Sequence, residues 1–154
     1  MKIGTGHRTA KDITKRLGEV GVQVCGWAFE MMKHDIFVSS LCHEPREIRL
    51  VSFTTLDFGF LERVSLEEVV SEVTKAGFSL CSPEDAPQFC LAHHDTMSPG
   101  TDIFLMPPIP VLGYGSRAFA SSFSDSIRMI RAVEADSDAP LSYGQRFFVR
   151  DRSL

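Results

Sequence analysis

Nowhere in this chain do apolar residues run on for the ~20 positions that a membrane-spanning helix requires. The opening stretch, Met1 to Arg16, also lacks the uninterrupted apolar core of a secretory signal. Cysteine is scarce and solitary: Cys25, Cys42, Cys81 and Cys90 form no C-x-x-C pair. Without a secretory signal, buried free thiols in a cytoplasmic protein are the expectation, although four cysteines would suffice for two disulfides. Tyrosine and tryptophan are nearly missing, with two and one residues against twelve phenylalanines. That bias favours a large dry core, because phenylalanine brings no polar atom that must be satisfied. No G-x-S-x-G elbow and no H-E-x-x-H occur. Excess positive charge is absent too: the formal net charge of −4 argues against nucleic-acid binding through net charge alone.

What is present is the composition of an ordinary globular protein, 44% hydrophobic and 23% charged over 154 residues. A single domain spanning 1–154, with 151–154 as a tail, is expected from that length. Two stretches share one plan 56 positions apart: residues 9–25 and 65–81. Each opens on a hydroxyl residue (Thr9, Ser65) followed three positions later by an acid (Asp12, Glu68). Apolar residues then match, Ile13 with Val69, Leu17 with Val73, Val20 with Ala76, before Gly21 or Gly77 and a short apolar run to Cys25 or Cys81. Each unit reads as an N-capped amphipathic helix stopped by a glycine and followed by a buried strand. A shared helix–glycine–strand grammar explains the match as simply as duplication does.

The remaining elements are read from period and breakers. Gly26 to Met32 suggests a short apolar helix, and Ile36 to Leu41 and Ile48 to Thr55 suggest strands. Ser82-Pro83-Glu84-Asp85 predicts one helical turn ended by Pro87, with Gln88 to His94 as a strand. Asp102 to Met106, Arg117 to Phe123, Ser126 to Val133 and Arg146 to Arg150 read as further strands. Ile109 to Gly115 reads as a Pro/Gly loop and Glu134 to Pro140 as an acidic one. Helices early and strands late predict an α+β fold: helices 9–19 and 65–76 on a mostly antiparallel sheet, with a β-rich C-terminal half. The expected core comprises Leu17, Trp27, Phe37, Phe53, Val69, Val73, Phe78, Leu80 and Phe104.

Three places invite chemistry. Cys90-Leu91-Ala92-His93-His94-Asp95 offers ligand types that suit zinc at Cys90, His93 and His94, with Cys42-His43 or Cys81 to complete four. Strand alternation would send His93 and His94 to opposite faces, and no second spaced pair exists, so no metal is expected. The same segment can be drawn as a cysteine hydrolase with Cys90, His93 and an orienting Asp95, but adjacency in one element does not supply that geometry. Gly113-Tyr114-Gly115-Ser116-Arg117 has glycines that could cradle a phosphate, yet lacks the lysine and helix of a P-loop and reads as a turn. Basic residues gather near both ends, Lys2, Arg8, Lys11, Lys15 and Arg16 against Arg146, Arg150 and Arg152, with Phe147 and Phe148 interleaved. If the termini meet, one positive face would touch phosphates or an acidic partner.

Gly26-Trp27-Ala28, Leu56-Asp57-Phe58-Gly59-Phe60, Leu80 to Gln88, Met106-Pro107-Pro108-Ile109 and Arg146 to Arg150 together resemble a group of short uncharacterised bacterial proteins. The resemblance spans most of the chain and implies no activity, cofactor or catalytic residue. Its pattern has an ordinary strand without histidines where His93 and His94 stand. The function expected from the whole reading is a small cytoplasmic binding or accessory module, acting through a protein partner or self-association and without a cofactor. Ile109, Val111, Leu112 and Tyr114 are its expected contact surface, since apolar residues gathered on a loop are poorly explained by solvation. The alternative is a metal-dependent or cysteine-based hydrolase centred on Cys90, His93, His94 and Asp95.

Overall fold

The computed structural model describes residues 1–3 and 9–152. Arg8, of the expected basic face, lies outside them, as do the last two residues of the chain. The helices are α1 (Ala10–Glu19), α2 (Gly26–Lys33), α3 (Asp35–Ser40), α4 (Leu66–Lys75) and α5 (Asp85–His93). The strands are β1 (Lys2–Ile3), β2 (Val22–Val24), β3 (Arg46–Glu47), β4 (Leu50–Thr54), β5 (Val64–Ser65), β6 (Gly100–Phe104), β7 (Ile109–Pro110), β8 (Ser116–Ser124), β9 (Ile127–Glu134), β10 (Pro140–Leu141) and β11 (Arg146–Arg150). The main sheet runs β2-β9-β8-β6-β11-β4, with β7 beside β8. Only β2–β9 and β6–β11 are parallel; its other ladders are antiparallel. The fold is α+β, with a β-rich C-terminal half.

Strand alternation splits the core into two layers. Phe104, Phe119 and Ile130 face α1, α2, α3 and α5, together with Ile13, Leu17, Met31, Met32, Phe37 and Cys90. Ile103, Leu105, Phe147 and Val149 face α4, with Val69 and Val73. The two helices of the shared plan therefore cover opposite faces of one sheet. Their local chemistry is as expected. The Thr9 and Ser65 hydroxyls accept from the amides of Asp12 and Glu68, and Glu68 reaches back to the Ser65 amide at 2.9 Å. After the helices the units part, because β2 joins the sheet edge beside β9 whereas Ser79 makes a lone antiparallel bridge to Arg150.

Two expected strands are helices. Ile36 to Leu41 lies within and just past α3, where His34 Nδ1 accepts from the Ile36 amide and Asp35 stands in the first turn. Gln88 to His94 belongs to α5. Pro87 does not end that helix, because it falls in the first turn, where an amide hydrogen has no intrahelical acceptor. An apolar run this short fits either state, and its flanks decide. Trp27 is not core: it sits at the rim of the Ala28–Met31–Met32 stripe of α2, 41% exposed. Phe53, Phe78 and Leu80 are half-buried, because β4 is an edge strand and leaves their cluster partly uncovered.

Ser65→Ala should lower unfolding free energy by about 1 kcal/mol in chemical denaturation. The bonds from Ser65 hold the Glu68 carboxyl below its ordinary range. Its stabilisation is therefore complete above the unfolded pKa and lost as pH falls through the depressed folded one. Glu68→Gln should flatten that acid limb.

Candidate functional site: an arginine-lined groove

The residues of the Cys90 segment have different surroundings, and Asp95 lies exposed in the turn after α5. Cys90 is buried in the core, and burial pushes its thiol up to about 12. A buried thiol held protonated near neutral pH is not poised as a nucleophile. The His93 ring lies against Phe89 with centroids 4.9 Å apart, while His94 Nδ1 contacts the Leu91 carbonyl at 3.0 Å. Among the described residues no three His, Cys, Asp or Glu side chains are placed to hold a metal ion.

The glycine pair at 113 and 115 closes the β7–β8 hairpin, both with positive φ. The place an anion would take is filled from within the chain, because the Asp136 carboxylate accepts from the Ser116 amide and lies 3.2 Å from where a Gly115 side chain would begin. Of the expected contact surface, Ile109 is fully buried in β7 and Val111 packs on the core. Leu112 at the hairpin tip is 97% exposed, and Tyr114 lies against Trp27 with ring centroids 3.9 Å apart and planes tilted by 49°.

The basic residues divide. Those of α1 lie beside β2, at the opposite edge of the sheet from β4, and Arg16 is paired with Glu19. Arg146 is held by Asp102. Arg150 and Arg152 instead meet Arg46 and Arg49 around a groove of about 550 Å³, lined also by Glu47, Ile48, Ser79, Leu80 and Asp151. The chain ends do converge here: Ile48 donates to the Met1 carbonyl and Asp151 to the Arg49 carbonyl. Arg46 and Arg49 carried no signal of their own in the sequence, since a basic residue at a strand end looks like solvated surface.

One wall of the groove is fixed by a buried ion pair. Arg150 at the end of β11 donates Nε and Nη2 to the two Asp85 carboxylate oxygens, both at 2.6 Å. Asp85 is fully buried as the first residue of α5, where it also accepts from the Ser82 amide. This two-point geometry is the strongest form of the pair, and the bond to Asp85 raises the Arg150 pKa further. Next to it Glu84 accepts from the Cys42 amide at 2.7 Å, tying the α3–β3 loop to α5. Cys81 lies in the same cluster, its thiol pushed well up by burial and by the Asp85 charge. At the mouth, Arg152 donates to Ser79 Oγ and Arg49 lies 3.6 Å from Asp151. Arg46 and Arg152 form no ion pair among the described residues.

Compared with family models, curated proteins and solved structures, the chain finds no match. Its function is therefore read from this geometry.

Asp85→Ala should cost about 3–5 kcal/mol in denaturant unfolding, because it strands the Arg150 charge. Adding Arg150→Met should cost less than the two single losses summed, the mark of a coupled pair. Ellman titration of the folded protein should modify Cys25 and Cys42 readily, with Cys81 and Cys90 reacting only after unfolding.

Proposed function

We propose that this chain is a cytoplasmic binding module that takes an anionic group of a partner protein in the arginine groove. The carrying observation is four arginines and two carboxylates lining one groove, with Arg150 already paired to buried Asp85 and Arg49 facing Asp151, in a chain whose net charge is −4. Arginine presents a planar fork of donors that suits carboxylate or phosphate, and it remains charged at any physiological pH. Anchoring Arg150 to Asp85 removes one guanidinium from bulk solvent and fixes the wall, leaving Arg46 and Arg152 to meet the ligand. A reducing compartment is supported by the four free thiols. No helix among the described residues is long and apolar enough to cross a membrane.

A second surface supports protein contact by another chemistry. Leu112, Tyr114 and Trp27 come from a hairpin tip and a helix start, and they gather apolar area where solvent alone would not hold it. Trp27 is the sole tryptophan, so its emission reports on that surface alone.

A labelled glutamate octapeptide should bind the full chain and weaken as salt rises, whereas a lysine octapeptide should not bind. Arg46→Glu with Arg49→Glu should abolish glutamate binding while leaving the melting temperature close to the parent's. Binding unaffected by both reversals, or no binding at low salt, would refute the groove. A Trp27 shift on dilution without glutamate binding would move the function to the hairpin surface.

A further inference from the structure

Arg46 to Arg49 of the groove lead into β4, which ends the main sheet among the described residues. Among the described residues, strand β4 pairs with β11 on one side only, because it ends the strand order. Its register with β11, Phe53 opposite Phe147 and Val51 opposite Val149, continues into the bonds from the Asp151 amide to the Arg49 carbonyl and from the Thr55 amide to the Gln145 carbonyl. Odd-numbered residues of β4 therefore turn their amides and carbonyls to β11, and Leu50, Ser52 and Thr54 turn theirs outward. The Thr54 amide is already taken by Asp57 Oδ2 at 2.6 Å. Leu50 and Ser52 have no such partner among the described residues, so the open part of the edge is the part nearest the groove.

Just before it the same edge is in use. Met1 exchanges both backbone bonds with Ile48, and β1 continues antiparallel to β3. Arg46 and Arg49, which line the groove, lead directly into Leu50. A strand that lay antiparallel on Leu50 and Ser52 would run in line with β1 and bring its carboxyl-terminal end to the arginines. An edge left bare by the described residues, with half-buried apolar neighbours and neither lysine nor proline within the strand, is suited to receive another strand rather than to repel one.

We propose that β4 receives an extended peptide, paired antiparallel through the backbone of Leu50 and Ser52, with a carboxylate at its carboxyl-terminal end held in the arginine groove. The inference rests on the anion reading above and names its partner: a β-prone acidic segment. Backbone pairing supplies affinity without sequence preference, and the arginines supply direction. Charge complementarity selects this occupant over a second copy of the chain.

The test is a displayed library of random octapeptides with free carboxyl termini, selected on the full chain. Enrichment should favour acidic residues in the final positions and β-branched residues before them. A selected peptide made as free acid and as amide separates the two carboxylate sources, terminal if the amide fails and side-chain if it binds. Ser52→Pro removes an outward amide and leaves the β11 ladder intact, so it should weaken binding about tenfold. Arg46→Glu with Arg49→Glu should remove it. In the unaltered protein, bound peptide should slow hydrogen exchange at Leu50 and Ser52, a readout that does not depend on the proline variant folding. Acidic enrichment with neither Ser52→Pro loss nor exchange protection would overturn the strand pairing and leave the groove standing. No acidic enrichment would overturn both. A dimer dispersed by Ser52→Pro, with which peptides do not compete, would assign the edge to a second copy and overturn the proposal.

Discussion

A buried carboxylate at the start of a helix and a guanidinium at the end of a strand hold this molecule's layers together. Asp85 is inaccessible to solvent, and a bare charge there would be too costly to keep; the two-point contact from Arg150, with the Ser82 amide, makes it tolerable. Because Arg150 lies on a strand flanked on both sides, the pair fixes the start of α5 over the sheet. Phe89 then meets Phe104 and Phe148, and Glu84 reaches the Cys42 amide. The same pair fixes the groove wall. Stability and the candidate site thus share one interaction.

The sequence was legible where the governing forces are local. Ser65 and Glu68 announce a capping box, and the Ile13–Leu17 and Val69–Val73 stripes announce the buried faces of α1 and α4. The β8–β9 hairpin turns at Asp125 and Ser126, both at positive φ as a tight right-twisted hairpin prefers, so Ser126, read as the start of a strand, belongs to the turn. Local reading failed at α3 and α5, whose apolar runs fit a strand equally well until His34 and Pro87 are placed. The site was half legible. Arg150 and Arg152 stood out as a terminal cluster, but their companions proved to be Arg46 and Arg49 rather than the lysines of α1. Nothing in one dimension pairs Arg150 with Asp85 across 65 positions.

An acidic protein with one basic groove has a simple electrostatic logic. Net charge of −4 discourages indiscriminate contact with polyanions, while a concave arginine cluster concentrates the field at one place. An open sheet edge beside that cluster adds a second requirement, an extended backbone, that a free anion does not meet. The exposed Trp27–Tyr114 pair is separate from this device and has a different chemistry.

The central claim is that the arginine groove is the binding surface, and amide chemical-shift mapping tests it most directly. With a glutamate octapeptide added to labelled protein, the account predicts shifts concentrated at Arg46 to Ser52, Ser79, Leu80 and Arg150 to Arg152. Shifts centred on Trp27, Leu112 and Tyr114, or spread evenly over the basic residues of α1, would contradict it.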